Sequence, residues 1–111
     1  MSASSSPELL ALLEQASAGL GDVQATVTHG CNGVAAGDRP YALVAPGGRI
    51  GVRLPDWDLF AAAYELPGSG PLLVGGERIG HWVLLPEAIE EDGAALGEWL
   101  RQAHALTAGR V

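Results

Sequence analysis

The segment from Ile79 to Thr107 limits the possible folds more than any other part of the chain. It begins with an apolar run, Ile79 to Leu85, whose length and composition predict a buried strand. Pro86 and Glu87 then form a corner, because proline interrupts regular backbone pairing. Beyond the corner, apolar residues recur at helical spacing and predict an amphipathic helix. This stripe consists of Leu96, Trp99, Leu100, Ala103 and Leu106.

The other segments alternate between the period of a strand and the period of a helix. One helical stripe includes Leu9 and Leu13, and a second lies between Asp56 and Leu66. Each segment has only one apolar face, so strands and helices must share a core. We therefore expect an α+β fold: an antiparallel meander sheet with helices packed on it, in the order helix, three or four strands, helix, one or two strands, helix. The residues expected inside are Val23, Val27, Ile50, Val52 and Leu54 on the sheet, covered by helices that carry Leu13, Phe60 and Trp99.

Length and composition indicate one small domain. The 111 residues are 48% apolar and 17% charged, which suffices for an independent core. We expect residues 1–6 to be a flexible N-terminal tail and residues 7–108 to be a single domain. Cys31 is the single cysteine, which fits a reducing compartment. Since no apolar run has the length of a membrane span, we expect a cytoplasmic location and no membrane partner.

The charge balance argues against nucleic acid as a direct partner. Six arginines and thirteen acidic residues give a net charge of −7, and such a field opposes contact with a phosphate backbone. Weak nucleic-acid contact remains an alternative if Arg39, Arg49 and Arg53 gather on one face. The simpler interpretation is that these arginines keep a solvated part of the sheet soluble.

His29 and Cys31 are two residues apart, so on an extended chain both side chains would face the same side. With His81 from another strand they would supply three metal ligands. A structural zinc site normally needs four ligands, and the sequence offers no obvious fourth. We therefore expect no metal and no other cofactor, and a small polar bend from Thr28 to Gly33. A small-molecule or metal site at this bend remains an alternative.

No catalytic set converges in the sequence. A Cys31–His29 nucleophile pair would require a lowered thiol pKa, and the sequence offers only His29 to lower it. The glycine-rich segments around Gly68 and Gly75 lack the lysine and the strand-to-helix context of a phosphate-binding loop. We therefore expect a protein without enzymatic activity.

An apolar run of Leu72, Leu73 and Val74 lies in a segment rich in glycine and proline, from Pro67 to Glu77. We expect a loop here, in which apolar side chains have no periodic reason to be buried. An exposed apolar patch of this kind would mark an interaction site, and folding back over the core is the alternative. The tryptophans have the spacing of core residues, and we expect all three to be buried: Trp57, Trp82 and Trp99.

Two regions of the chain resemble the TfoX N-terminal domain family. Gly37–Val44, followed by Gly48–Arg53, is similar to the central hairpins of that family, where a short turn precedes an aromatic-small-apolar strand. The closing region is similar to the family's last strand, proline-acidic corner and tryptophan-containing final helix. In this chain those parts are Gly80–Val83, Pro86–Glu87 and Asp92–Leu106. The resemblance extends over nearly the whole chain.

The resemblance implies a secretion-chaperone-like α+β architecture and a short stand-alone member of the family. Relatives are linked to transcriptional control of competence through partner proteins, without a known catalytic site. For this chain it implies a non-catalytic regulatory or protein-interaction domain that acts through a protein partner, a homodimer or both. One segment departs from the family, which commonly has a Met-Phe-Gly-Gly type sequence where this chain has Thr28 to Gly33. The glycine-rich bend is kept, and the large apolar residues are absent.

Overall fold

The computed structural model describes residues 6–45 and 48–108. The predicted tail falls almost entirely on residues 1–5, which lie outside that part. The described residues form an antiparallel sheet with helices packed on it, which confirms the α+β class. Its elements are α1 (Ser6–Ala16), β1 (Val23–Thr28), β2 (Cys31–Ala36), β3 (Arg39–Ala45), β4 (Arg49–Arg53), α2 (Trp57–Tyr64), β5 (Gly70–Val74), β6 (Glu77–Leu84), a 3-10 helix (Glu87–Glu91) and α3 (Gly93–Thr107).

The sheet has the strand order β1-β2-β3-β4-β6-β5, and each neighbouring pair is antiparallel. The first four strands follow one another as hairpins. Helix α2 then carries the chain to β5, and β6 returns between β4 and β5. The two edges of the sheet are therefore β1 and β5, and each leaves one row of backbone groups without a strand partner.

The main core lies between one face of the sheet and the helices α1 and α3, which pack on the central strands. Ile50, Val52 and Leu54 are buried there, as their alternation predicts. The expectation is wrong for Val27, which is 65% exposed on β1. Strand β1 is an edge strand, and α1 and α3 cover β2, β3 and β4 rather than the edge. The helical residues buried in this core are Leu9, Leu13, Ala63, Leu96, Leu100 and Ala103.

A second, smaller core is separate from the main one and is made by residues of the strands. Its buried members are Cys31, Leu43, Ala45, Leu72 and Trp82. They come from β2, β3, β5 and β6, so the sheet itself must curl to bring them together.

The curl is visible in a contact between distant strands. His29 lies in the turn between β1 and β2, and its ring packs edge-on against Trp82 of β6, with 6.2 Å between ring centroids. Strands β3 and β4 lie between β2 and β6 in the sheet order.

Gly33 permits the close packing of β2 on β3. A Cβ atom at that position would collide with the carbonyl oxygen of Ala42 and lie 2.8 Å from Cα of Leu43.

The segment predicted as a loop from Pro67 to Glu77 contains strand β5 instead. Pairing of β5 with β6 turns Leu72 into the second core, where it is fully buried. Leu73 points the other way and is 50% exposed, and Val74 is half-buried. The short alternation of this strand is broken by glycine and proline, which masked its period in the sequence.

Helix α2 begins one residue after Asp56, whose carboxylate accepts hydrogen bonds from the backbone N–H groups of Asp58 and Leu59. Trp57 is therefore the first residue of the helix, and it is 67% exposed, not buried as expected. The buried residue of this helix is Ala63, about 120° around the helix axis from Trp57. None of the helices in the described ranges is long and apolar enough to cross a membrane.

Candidate interaction surface and binding cleft

The three weak metal candidates do not converge. Cys31 is buried, and its thiol donates to the carbonyl oxygen of His29, with 3.7 Å between sulfur and oxygen. His29 packs on Trp82, whereas His81 packs on Trp57. Among the described residues, no group of three or more histidine, cysteine, aspartate or glutamate side chains is placed to hold a metal ion.

The environment of Cys31 favours the protonated thiol. Burial raises its pKa above the ordinary value of 9.0, because the charged thiolate is poorly solvated in an apolar surrounding. A reactive cysteine requires the opposite shift. The hydrogen bond to the carbonyl of His29 also holds the proton on sulfur, so the local chemistry of Cys31 is that of a small core residue.

The arginines do not form one basic face. Arg49 donates through one guanidinium nitrogen to the carbonyl oxygens of Leu85 and Gly68, each at 2.7 Å. It is therefore committed to holding the end of β6 beside the loop after α2. Arg39 and Arg53 line a separate cleft. The structure thus brings together two of the three arginines that the charge pattern singled out.

The most prominent exposed feature is a row of aromatic side chains on α2 and β6, named here the aromatic ladder. It consists of Trp57, Phe60, Tyr64 and His81. The Trp57 ring lies 5.5 Å from that of Phe60 and 5.0 Å from that of His81, and Phe60 lies 5.7 Å from Tyr64. Only Trp57 is largely exposed, while the other three are half-buried beneath or beside it.

His81 has an unusual backbone for this position. Its φ angle is +65°, in the left-handed region that non-glycine residues rarely adopt. The carbonyl oxygen of His81 accepts a 2.7 Å hydrogen bond from the backbone N–H of Leu54, which ties the strained residue to the start of α2. Its Nδ1 is buried and has no hydrogen-bond partner among the described residues. The left-handed backbone at His81 thus directs its imidazole toward Trp57.

A cleft of about 360 Å³ opens at the end of the curled sheet. Arg53 and Trp82 are directly opposite each other in the β4–β6 pair, so both side chains leave the same face. The turn from β2 to β3 adds a second arginine, and the end of α3 adds a hydroxyl. The residues that line the cleft are Thr28, His29, Asp38, Arg39, Pro40, Arg53, Trp82 and Thr107.

The sequence predicts part of this cleft, but as separate features. His29 belongs to the predicted polar bend, and Arg39 and Arg53 belong to the possible basic spot. Thr107 gives no signal, since it lies in the last turn of a helix without a motif around it. Trp82 has the spacing of a core residue; it is 4% exposed and also forms a wall of the cleft.

In comparisons with known proteins, no family model matches the chain, and neither a curated protein nor a solved structure does.

Proposed function

We propose that this protein is a non-catalytic interaction domain that binds a protein partner through the aromatic ladder. The observation that carries this proposal is the 67% exposure of Trp57 at the start of α2. A large aromatic side chain left in water is unfavourable for a free domain, and tryptophan is enriched among the residues that dominate binding energy at protein interfaces.

The surroundings of Trp57 support a role in binding. Its indole rests against Phe60 and His81, and Asp56 fixes the first turn of the helix beneath it. The side chain is therefore held in one region before a partner arrives. Such pre-organisation reduces the conformational entropy lost on association. A partner with an apolar pocket would gain most from this arrangement.

The sheet edges offer a second, weaker route to association with another copy of the chain. Val27 is 65% exposed on β1, and Leu73 is 50% exposed on β5. Both strands lie at the ends of the sheet order. An edge strand that carries an exposed apolar side chain can pair with a strand of another chain. Pairing of β1 with β1 across a two-fold axis would give a closed homodimer.

Kinship with the TfoX N-terminal domain family, in a secretion-chaperone-like architecture, is part of this proposal. It is supported by the hairpin from β3 to β4 and by the closing order of β6, 3-10 helix and α3. These are the two regions whose sequence resembles the family. The partner would then be a protein of transcriptional control, with this domain acting as a regulatory subunit.

Pull-downs with matched baits test the proposal. The tagged wild-type protein, Trp57→Ala and Asp58→Ala are incubated with extract of the source cells, and recovered proteins are quantified by mass spectrometry. Asp58 is the exposed neighbour of Trp57 on α2, so its variant controls for a change on the same helix. We expect at least one protein that Trp57→Ala recovers about tenfold less than the other two baits, since tryptophan hot spots contribute several-fold to tenfold or more in affinity.

Equal recovery of every protein by the three baits would contradict a role for the aromatic ladder. Light scattering on the purified protein checks the homodimer separately. A wild-type protein that remains monomeric at high concentration would contradict dimerisation through the sheet edges. It would not bear on partner binding by the aromatic ladder.

A further inference from the structure

The cleft at the end of the curled sheet contains two arginines that are not used by the fold. Arg39 is exposed and Arg53 is half-buried, and neither forms an ion pair or a hydrogen bond with the described residues. Two of the other described arginines are held by the fold. Arg49 holds two carbonyl oxygens, and Arg101 pairs with Glu98. Arg39 and Arg53 therefore keep their donors available inside one cleft.

Thr107 supplies an independent indication of a ligand. It is 2% exposed and lines the same cleft. Its hydroxyl is buried and finds no hydrogen-bond partner within residues 6–45 and 48–108. A buried hydroxyl without a partner is unfavourable. A bound molecule that reached this hydroxyl would complete its hydrogen bonding.

The other residues that line the cleft indicate the size of the ligand and the chemistry of the part that does not contact the arginines. Trp82 and His29 pack edge-on against each other and give the cleft an aromatic side. Asp38 is an exposed lining residue of the cleft, and its carboxylate can accept hydrogen bonds from a ligand. The volume of about 360 Å³ is at the lower end of small-molecule sites and exceeds what a bare phosphate ion would fill.

We propose that this cleft binds a small phosphorylated metabolite of about the size of a pentose phosphate. Arg39 and Arg53 bind the phosphate group through their guanidinium forks, which match the geometry of phosphate oxygens. Rotation of the Thr107 side chain brings its buried hydroxyl to the cleft, where it donates to the same group. The organic part lies against Trp82, and one of its hydroxyls donates to Asp38.

A small anion fits this site better than a nucleic acid. The chain carries a net charge of −7, which repels an extended polyanion over its whole length. Arg49 donates to carbonyl oxygens elsewhere, so among the described residues it adds no cation to the lining of the cleft. A ligand with one phosphate group meets Arg39 and Arg53 and avoids most of the acidic surface.

Heteronuclear NMR titration of the whole protein tests the proposal. The probes are ribose 5-phosphate, glycerol 3-phosphate and inorganic phosphate, with ribose and citrate as comparison compounds. We expect ribose 5-phosphate to shift the Nε–H signals of Arg39 and Arg53, the indole N–H of Trp82 and the amide of Thr107. Glycerol 3-phosphate and phosphate should shift the arginine signals at higher concentration, and ribose should shift none of these signals.

Matched variants separate a built site from general charge attraction. Arg39→Gln and Arg53→Gln should each weaken binding of ribose 5-phosphate about tenfold, the loss expected for one charge-assisted contact. Arg78→Gln removes the same charge from an exposed position outside the cleft and should change affinity less than about twofold.

Thr107→Val keeps the side-chain shape and removes the hydroxyl. If the hydroxyl serves only the fold, this variant will bind the probe like the wild type. We expect instead about fivefold weaker binding together with an unchanged or higher melting temperature, because an unpaired buried hydroxyl is removed.

Three results would overturn the proposal. The first is the absence of cleft shifts with all three phosphate probes. The second is an equal loss of affinity in Arg39→Gln and Arg78→Gln, which would show non-specific attraction. The third is a preference of the cleft for citrate over the phosphate esters, which would assign it to carboxylates.

Discussion

Tyr41 is the residue that ties the sheet, α1 and α3 together. It is the extra residue in β3, between the pairs Ala42–Val34 and Pro40–Ala35, so the bulge turns its ring toward the helices. The phenol donates a 2.7 Å hydrogen bond to the hydroxyl of Ser17.

The same ring meets the end of α3. It packs edge-on against the ring of His104, with 5.1 Å between centroids. Nε2 of His104 in turn lies 2.6 Å from the carbonyl oxygen of Gly21. Tyr41 and His104 thus join β3, α3 and the segment after α1 in one buried polar group.

Replacing Tyr41 by phenylalanine should destabilise the protein by about 1–3 kcal/mol, because Ser17 is fully buried and loses its partner. The loss is measured by urea denaturation. In Tyr41→Phe with Ser17→Ala, the orphaned hydroxyl is gone as well, so part of the stability should return. A double variant that loses the sum of both single effects would show that the two hydroxyls contribute independently.

The stability of the protein should fall at high pH. Burial raises the pKa of Tyr41 above its ordinary 10.0, against the smaller opposing effect of the Ser17 hydrogen bond. The folded state therefore holds the phenolic proton more tightly than the unfolded state does. This contribution is fully present below pH 10.0 and is lost as the pH rises through the folded pKa. Burial raises the pKa of Cys31 above 9.0 in the same sense, so its contribution begins to fade earlier.

Urea midpoints measured between about pH 8 and pH 11 test this linkage. The wild type should lose stability in two overlapping steps as the pH rises. Tyr41→Phe should lack the later step and keep the earlier one, and Cys31→Ala should show the reverse. Parallel curves for the three proteins would contradict the assignment.

At the scale of elements, the tight contact between β2 and β3 depends on Gly33. A side chain there would collide with the backbone of β3 at Ala42 and Leu43, and backbone atoms cannot move aside as a flexible side chain can. Gly33→Ala should cost about 3 kcal/mol or more in urea denaturation, the upper part of the range for overpacking. Gly80→Ala is the control, since an added Cβ in β6 meets no atom within 4 Å, and it should be neutral or stabilising by up to about 1 kcal/mol. Equal effects of the two variants would mean that β2 and β3 can separate.

The three tryptophans lie in three different environments, so their replacement by alanine should lower the free energy of unfolding by different amounts. Trp82 is 4% exposed in the second core, and Trp82→Ala should cost about 3–5 kcal/mol. Trp99 is half-buried on α3, so Trp99→Ala should cost about 2 kcal/mol in proportion to the area it covers. Trp57→Ala should change the free energy of unfolding by less than about 0.5 kcal/mol, as exposed positions do. A larger loss of unfolding free energy in Trp57→Ala than in Trp99→Ala would contradict the placement of α2.

Elements with one clear period could be predicted from the sequence. The regular apolar stripe of α3 correctly predicted the burial of Leu96, Leu100 and Ala103. The alternation in β4 correctly predicted the burial of Ile50 and Val52. The failures have local causes. In β5 the glycine and proline hide a strand that contains Leu72.

In α2, the cap at Asp56 sets the helix start, and the start decides where each side chain points. Trp57 is exposed for that reason, although its spacing resembles that of a core residue. The exposure of Val27 reflects the position of β1 at the sheet edge, which a single sequence does not reveal.

At the scale of the whole molecule, the curl of the sheet creates both the second core and the cleft. It brings His29 from the first hairpin to Trp82 on β6 and places the turn before Arg39 at the same mouth as Thr107. Contacts across such sequence separations follow from strand order and curvature, so residue spacing could not predict them. The predicted exposed patch of Leu72, Leu73 and Val74 failed at Leu72 for the same reason. The burial of Leu72 depends on which face of β5 turns inward, and residue spacing does not show this.

We propose two binding sites on the molecule: the aromatic ladder for a protein partner and the cleft for a small anion. They are built on different contacts of β6, since His81 packs on Trp57 whereas Trp82 packs on His29. A ligand in the cleft therefore need not block a partner on the ladder. The variants of Arg39 and Arg53 should leave partner recovery unchanged within about twofold, which quantitative pull-downs with these baits measure.

Fluorine NMR of protein labelled with 5-fluorotryptophan tests the central claim most directly, because each of the three tryptophans gives its own resonance. The labelled protein is titrated with the partner recovered by the wild-type bait, and single Trp→Phe variants assign the signals. The account predicts that the Trp57 resonance shifts or broadens as the partner binds, while the Trp82 resonance stays in place. A partner that binds without changing the Trp57 resonance would contradict the aromatic ladder as the interaction surface.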